Sequence, residues 1–313
     1  MAHIAIIGAG AIGGVTAALL AKTGRHRIML CTRRPLERLS VTTPEGEIVL
    51  RLENITDPAM ASVADWVLVG TKAYDTKGAA VWLPPLRRID TPVAILQNGV
   101  EQQERFSAYV DPGLIIPVIV DVPAERRGNG VIQQRGAMLM QVDNTTMGRE
   151  FARLFQGSEA EVRLTDDWLT AAWRKLCLNA AGAVCALVMK PAGVLQDEAL
   201  GKVVLDIVAE CVAVGKAEGA RLEAGMGQEI LDRFRAQPED AVNSILADRL
   251  AGRPTEYDAR NGVIVRKGLR HGIPTPVNQM VVALLGAMSL EVLTQCHGKD
   301  EYWHGFNANK VLT

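Results

Sequence analysis

Short apolar runs, each ending in glycine or a polar turn, recur along the first third of the chain. Such runs are typical of strands that a parallel sheet buries on both faces, and helical patterns lie between them. The predicted elements are a strand at 3–7, a helix at 11–23, a strand at 27–31, a hairpin at 41–52 around Glu45 and Gly46, a strand at 66–69, a helix at 76–83 that stops at Pro84 and Pro85, and a strand at 93–96. This alternation predicts an α/β fold with a right-handed parallel sheet.

The second half of the chain has a different pattern. Strand-like segments dominate from residue 113 to about 164, including a strand at 115–120, a hairpin at 131–142 and a helix near 149–155. From Asp167, a predicted N-cap, the pattern is helical, with Gly219 and Gly272 as predicted stops. The predicted helices are 167–187, 197–219, 238–250, 257–271 and 278–294. With 313 residues, two domains are expected, 1–166 and a helical domain at 167–313.

Composition narrows the class of protein. The net charge is −1, so no strong field favours nucleic acid or a membrane surface, and neither partner is expected. We find no uncharged apolar stretch of the roughly 18 residues that span a bilayer. Five cysteines without a C-x-x-C pair indicate a reducing, cytoplasmic setting. No metal motif is present, and the adjacent Cys296 and His297 are interpreted as a buried thiol beside a surface imidazole.

The opening sequence carries a candidate dinucleotide site. Gly8-Ala9-Gly10-Ala11-Ile12-Gly13 matches G-x-G-x-x-G, with a strand before it, a helix after it and a second strand about fifteen residues on. Gly8 permits the turn, Gly10 leaves room for a pyrophosphate, and Gly13 allows close packing of helix on strand. The alternative is a tight turn with no ligand. The context favours a Rossmann-type domain with the phosphates at the helix N-terminus.

The end of the second strand bears on which dinucleotide binds. NAD sites usually place an acidic residue there for the ribose 2′-hydroxyl, but this strand ends in Cys31-Thr32-Arg33-Arg34. Arg33, with Arg34 beside it, could form charge-assisted hydrogen bonds to a 2′-phosphate. The pattern therefore favours NADPH as cofactor, the alternative being two solvated loop arginines.

Four polar sites could carry chemistry in a cleft between the two domains. Lys72 and Asn98 each follow a predicted strand, at the edge where open α/β sheets bind ligands. Lys175 and Asn179 lie four residues apart on an apolar helix and therefore share one face. Each has a plainer alternative: a surface turn, a lysine at the rim, or a helix cap. The fourth site is a polar cluster in helical sequence, Asn243-Ser244 with Thr255-Glu256-Tyr257-Asp258.

Taken together, these motifs resemble the ketopantoate reductase family, also called 2-dehydropantoate 2-reductases, from the first strand to about Pro276. The resemblance implies a Rossmann domain followed by a helical domain, NADPH, and reduction of a 2-oxo acid to a 2-hydroxy acid. The motifs that carry it are GAGAIGG at 8–14, GTKAYDT at 70–76, QNGVE at 97–101, Trp173-Arg174-Lys175 with Asn179, Asn243-Ser244, PTEYD at 254–258, Asn261-Gly262 and HGIPTP at 271–276.

The resemblance also implies roles for single residues. Lys175 matches the family's catalytic lysine, and an ammonium there could stabilise the charge that grows on the carbonyl oxygen and deliver the proton. Burial would lower the pKa of Lys175, whereas Glu256, if close, would favour its charged form. Glu256 is the second catalytic candidate. The other matched positions are Asn98, Asn179 and Ser244 for the substrate, and Lys72 and Asn98 for the cofactor cleft.

One departure from the family pattern bears on the substrate. The family commonly has a second asparagine eight residues after the lysine, and this chain has Ala183 there. The reaction class is therefore better supported than ketopantoate itself. The alternatives are a related hydroxyacid or opine-type dehydrogenase with another oxo acid, and a sensor that binds NADP(H) without turnover. A homodimer is also expected, and the tail at 291–313 could cover the helical domain, a partner subunit, or neither.

Overall fold

The computed structural model describes residues 1–296 and the side chains of residues 1–289. Its largest sheet has six strands in the order β5-β2-β1-β6-β7-β8, and every neighbouring pair is parallel. The strands are β1 His3–Ile7, β2 Arg27–Cys31, β5 Glu53–Ile55, β6 Trp66–Val69, β7 Val93–Ile95 and β8 Ile115–Pro117. Within this sheet the chain order is 3-2-1-4-5-6, the dinucleotide-binding arrangement, which confirms the predicted α/β class.

Both faces of this sheet are buried. In β1, Ile4 and Ile6 belong to one hydrophobic cluster while Ala5 and Ile7 belong to another, because successive side chains of a strand point to opposite faces. This is why the strands read as unbroken apolar runs. The helices of this part of the chain are α1 Ala11–Lys22, α2 Thr76–Ala80, α3 Leu83–Leu86, α4 Gln102–Phe106 and α5 Thr146–Leu154, with 3-10 turns at Pro58–Met60, Ala73–Asp75 and Pro112–Leu114.

Two smaller sheets complete this half. The predicted hairpin around Gly46 is confirmed as the antiparallel pair β3 and β4, with Gly46 at a φ of 131°. One small sheet has the order β10-β11-β3-β4 and the other β13-β12-β9. Their strands are β3 Leu39–Thr43, β4 Gly46–Leu50, β9 Ile119–Asp121, β10 Ala124–Gly128, β11 Val131–Gln134, β12 Leu139–Asp143 and β13 Glu161–Thr165.

Three sequence predictions in this half are wrong. The segment 131–142 is not a hairpin, because β11 pairs with β10 and β3 whereas β12 pairs with β9 and β13. The strand expected at 115–120 divides at Val118 into β8 and β9, which lie in different sheets. Pro84 and Pro85 do not stop a helix but lie in the first turn of α3, where the missing N–H groups cost little.

After residue 167 the structure is helical as predicted. The elements are α6 Trp168–Ala181, α7 Ala183–Val188, a 3-10 turn at Ala192–Gln196, α8 Glu198–Ala217, α9 Met226–Arg235, α10 Ser244–Leu250, a π-helical turn at Asp258–Gly262, α11 Val263–Arg270 and α12 Pro276–Cys296. Asp167 caps α6 by accepting from the Thr170 N–H at 3.2 Å, and Gly219 and Gly272 have positive φ, all as predicted. The helix α9 was missed, and the helix expected at 238–250 begins only at Ser244.

The helices share one core, separate from the two clusters on the parallel sheet. Trp173, Cys177 and Cys211 are fully buried in it. The helical stretch Trp168–Val188 is long and apolar enough to cross a membrane by length and composition alone, which the sequence count of uncharged residues did not reveal. In the structure this stretch consists of two helices, α6 and α7, separated at Gly182. Because 61% of its most apolar window is buried inside the protein, the stretch belongs to the core of the helical half.

The last part of the sequence lies outside this description. The proposed cover formed by residues 291–313, and the adjacent Cys296 and His297, fall beyond the described side chains. Between residues 1 and 296, no group of three or more His, Cys, Asp or Glu side chains is placed to hold a metal ion.

Candidate active site

The glycine loop between β1 and α1 has the geometry of a phosphate cradle. Gly8 has a φ of 92°, and a Cβ there would lie 2.9 Å from Thr71 Cγ2. A Cβ on Gly13 would lie 1.9 Å from the Gly8 oxygen, so neither position tolerates a side chain. A Cβ on Gly10 would have only the Gly70 oxygen within 4.0 Å. Gly10 precedes α1 and provides no side-chain cap, so the helix N-terminus is open to an anion and fits a pyrophosphate.

Gly70 belongs to the same cradle, although the sequence suggested no role for it beyond its place in the GTKAYDT motif. It follows β6 directly, and a Cβ on it would lie 2.8 Å from Gly13 Cα. Its place after a buried strand was the available signal. The partly exposed Ala9, Ala11 and Ile12 complete the predicted loop.

Arg33 lies just beyond β2 with 78% of its side chain exposed. Its ion-pair partner is Asp75, with 3.7 Å between Arg33 Nη1 and Asp75 Oδ2. Burial raises the pKa of Asp75, and the charge of Arg33 partly opposes that rise. A loose pair of this kind leaves the guanidinium available to another anion.

Lys72 and Glu256 form the centre of a charged cluster that joins the two halves of the chain. Lys72 Nζ lies 2.6 Å from Asp248 Oδ2 and 3.2 Å from Glu256 Oε2. The Ala73 N–H donates to Glu256 Oε1 at 3.0 Å. Burial alone would raise the pKa of Glu256, but the charges of Lys72 and Arg260 and two donated hydrogen bonds bring it down to about 2. Glu256 is therefore a carboxylate at neutral pH.

A chain of amide side chains extends from this cluster. Asn98 Nδ2 donates to Glu256 Oε2 at 3.0 Å, and Asn179 Nδ2 donates to Asn98 Oδ1 at 3.3 Å. Asn98 is held by the turn after β7, where Gly99 has a φ of 105° and a Cβ would lie 2.9 Å from the Ala259 oxygen. The structure thus brings together Asn179, Asn98, Glu256 and Lys72.

Lys175 faces a cleft that begins where β7 ends. Its side chain is 20% exposed, and its Nζ lies 2.8 Å from Asp121 Oδ1. Burial lowers the pKa of Lys175, with contributions from the charges of Arg233 and Arg260, while Asp121 opposes the shift. The cleft is lined by Gln97, Asn98, Gly99, Gln102, Val118, Ile119, Val120, Ala172, Lys175, Leu176 and Asn179.

The partner of Lys175 differs from the one considered in the sequence. Glu256 forms its ion pairs with Lys72 and Arg260, and Asp121 takes the place beside Lys175. Asp121 was missed, although it is the acidic residue that ends an apolar run. Glu256 acts on the cleft through Asn98, to which it is hydrogen bonded.

Ser244 is the exposed first residue of α10, and Asn243 caps this helix by accepting from the Leu246 N–H at 3.0 Å. Ser244 Oγ accepts a hydrogen bond of 2.8 Å from Arg260, a buried residue that the sequence reasoning also missed. Ala183, where the family commonly has asparagine, is fully buried at the start of α7.

The chain is similar to known proteins over most of its length. Residues 4–146 match the family described as Ketopantoate reductase PanE/ApbA, and residues 167–289 match Ketopantoate reductase PanE/ApbA C terminal. A 2-dehydropantoate 2-reductase of Caulobacter vibrioides is 47% identical over 290 residues, which cover 93% of this chain and 100% of that protein.

Solved structures share the fold of this chain. The crystal structure of a PanE/ApbA family ketopantoate reductase from Ralstonia eutropha JMP134 superposes with a TM-score of 0.85 at 30% identity, covering 93% of this chain and 99% of the other. D-mandelate dehydrogenase with NADH and anilino(oxo)acetate also reaches a TM-score of 0.85, at 22% identity and with the same coverage. At that identity the likeness shows a shared fold.

Proposed function

The chain belongs to the ketopantoate reductase PanE/ApbA family, and from that premise we propose that it reduces 2-dehydropantoate to pantoate with NADPH. One observation carries the proposal: Lys175, Asn98 and Asn179 line a single cleft at the carboxyl end of β7. The carboxyl ends of parallel strands lie at one edge of the sheet, so this is also the edge where the glycine loop leaves β1.

The reaction consumes one 2-oxo acid, one reduced cofactor and one proton, and yields a 2-hydroxy acid and the oxidised cofactor. When bound, the nicotinamide supplies the hydride that C2 of the substrate accepts. The protein must then supply a proton to the carbonyl oxygen and stabilise the negative charge that grows there. Lys175 Nζ is the donor in this proposal.

The surroundings of Lys175 suit a proton donor. Burial lowers the pKa of Lys175 below its ordinary value, which makes the ammonium a better acid, while Asp121, 2.8 Å away, favours the charged form and orients it. Asn98 and Asn179 present amide groups beside it for the substrate oxygens. Glu256 holds Asn98 by a hydrogen bond and Lys72 by an ion pair, so its role is to position these two residues.

The preference for NADPH depends on Arg33. Its exposed guanidinium, loosely paired with Asp75, is available for a 2′-phosphate, and an acidic residue is missing from the end of β2. The glycine loop would hold the pyrophosphate.

A different oxo acid is the second candidate substrate. Ala183 offers no side-chain hydrogen bond where the family commonly has asparagine, so one contact to a substrate hydroxyl is lost. A branched 2-oxo acid without that hydroxyl would lose nothing.

A substrate panel tests these proposals directly. NADPH oxidation is followed at fixed enzyme with 2-dehydropantoate and with branched, aromatic and unbranched 2-oxo acids, and each rate is repeated with NADH. We expect 2-dehydropantoate to have the highest kcat/KM and NADPH to be preferred. Turnover with another acid only would select the second candidate. Binding of NADPH with no turnover on the whole panel would leave the sensor alternative and refute the enzyme.

Three further properties follow the same reasoning. A boundary near residue 166 is supported by the separation of the hydrophobic clusters of the sheet and of the helices. We also propose that the protein is a cytoplasmic homodimer with a small-molecule substrate, because its cysteines suit a reducing compartment and a ketopantoate reductase of the same fold from Staphylococcus aureus is dimeric. Light scattering of the purified chain tests the dimer. Limited proteolysis tests the boundary, because a protease should cleave near residue 166 earlier than it cleaves within either half.

A further inference from the structure

Arg260 is a buried cation directly behind an exposed hydroxyl group. Its side chain is 3% exposed, and its Nη2 donates to Ser244 Oγ at 2.8 Å. Ser244 itself is exposed at the start of α10. A serine hydroxyl that accepts from a guanidinium is left with its own O–H as a donor, and that O–H can be offered to an anion outside.

The local charge balance favours an anion at this place. In the described part of the chain, the cluster around Glu256 contains the cations Lys72, Arg253 and Arg260 but only two carboxylates, Asp248 and Glu256. One positive charge is left without a counter-charge. Lys72 and Arg253 are partly exposed, whereas Arg260 is buried, and a buried charge is stable when paired, so a carboxylate bound beside Arg260 would complete the set.

Arg260 also has unused hydrogen-bonding capacity. Its Nε is buried and without a partner in the described structure. Its Nη2 lies 3.8 Å from Glu256 Oε2, which is longer than a hydrogen bond. The residue lies in the π-helical turn at Asp258–Gly262, a distortion frequently found at functional sites. Asn261 ties this turn to α6 by donating to the Ala180 oxygen at 3.3 Å, three residues before Ala183.

We propose that Arg260 is a positioning residue for an anionic substrate: it orients the Ser244 hydroxyl toward the substrate carboxylate and supplies the positive charge that this carboxylate neutralises. The inference rests on the proposed function, because it takes the substrate to be a 2-oxo acid bound at Ser244. In this proposal Arg260 makes the enzyme prefer a 2-oxo acid over a neutral ketone of the same shape.

The test compares an acid with its neutral analogue. The kcat/KM for 2-dehydropantoate and for its carboxamide are measured with NADPH for wild type, Arg260→Met, Arg260→Lys and the control Arg270→Met, whose side chain is exposed on α11. We expect Arg260→Met to lower kcat/KM for the acid by about 10- to 100-fold, mainly through KM, and to leave the amide nearly unchanged. Arg260→Lys should retain part of the preference, and Arg270→Met all of it.

A binding measurement separates this inference from the proposed function. The Kd of pantoate for the NADP⁺ complex is measured by calorimetry for the same variants and in a Ser244→Ala background. In the wild-type background, Arg260→Met should weaken pantoate binding by about the same factor as it lowers kcat/KM for the acid. In the Ser244→Ala background the same substitution should weaken binding by much less. If pantoate binding depends on Arg260 but no acid turns over, the proposed reaction fails and this inference stands.

Two results would overturn the role of Arg260. One is an equal loss of kcat/KM for acid and amide, which would mean a structural effect only. The other is an unchanged Kd for pantoate in Arg260→Met. If Arg260→Met does not fold, as judged by NADPH binding, the same comparison in Arg260→Lys decides, since a purely structural arginine would again change acid and amide alike.

Discussion

Two partly buried lysines of this protein, Lys72 and Lys175, have opposite surroundings. Lys72 lies between the carboxylates of Asp248 and Glu256, and although burial acts to lower it, these two charges raise its pKa. Lys175 has one carboxylate partner, Asp121, whose side chain is 44% exposed, and burial lowers its pKa. The same residue type thus becomes a permanent charge in one place and a potential acid in the other. What differs is how many counter-charges are present and how well solvent screens them.

The largest expected effect separates the two lysines by their function. Lys175→Ala should lower kcat by about a hundredfold to ten-thousandfold, the range of a general acid, with NADPH affinity and melting temperature nearly kept. Lys72→Ala should lower kcat less and melting temperature more, because each of two buried carboxylates loses one of its two cations, Asp248 keeping Arg253 and Glu256 keeping only the more distant Arg260. Stopped-flow turnover and thermal unfolding on both variants give the comparison. Equal kcat losses would mean that Lys175 has no special role.

Glu256 tests the Lys72 side of the comparison through stability. Because the folded pKa of Glu256 is depressed from 4.5 to about 2, its contribution is fully present above about pH 4.5 and is lost as pH falls toward 2. Glu256→Gln should lower the free energy of unfolding at neutral pH by about 3 kcal/mol. The variant should also lose less stability than wild type as the pH falls from 4.5 toward 2. Urea unfolding across this range measures both. The control is Glu229→Gln, which changes an exposed residue of α9. An equal loss of unfolding free energy in this control would disprove the stabilising role of the Glu256 carboxylate.

Arg33 adds a third cation to the comparison, one that is largely exposed and only loosely paired with Asp75. Since such a group is free to bind a phosphate, Arg33→Ala should narrow the kcat/KM preference for NADPH over NADH by about 10- to 100-fold. Rates with NADH should stay near wild type. An unaltered ratio would show that another residue recognises the 2′-phosphate.

Asp121 gives the smallest and most specific effect. Asp121→Asn removes the charge that opposes burial, so the pKa of Lys175 should fall further. A general acid must be protonated, so the high-pH decline of kcat should move to lower pH, with a loss of about two- to fivefold on that limb. A pH profile of kcat measures this, and an identical profile would mean that Lys175 does not limit the alkaline decline.

The fold was largely predictable because its signals are local. The strands His3–Ile7, Arg27–Cys31 and Trp66–Val69 occur where their apolar runs placed them, since burial on both faces demands such runs. Pairing between strands is not local. The sequence of residues 131–142 does not indicate that β11 and β12 belong to different sheets. The amphipathic helix α9, which lies between two loops, was also missed.

The candidate site divides in the same way. The sequence by itself determined the glycine loop, the missing acid at the end of β2, and the placement of Lys175 and Asn179 on one helix face, because each depends on neighbours within a few residues. Only the tertiary structure decided which charges meet: Glu256 with Lys72 across 184 positions, Lys175 with Asp121, and Ser244 with Arg260. Electrostatic pairing depends on distance and burial in three dimensions, and neither is encoded in the spacing of residues along the chain.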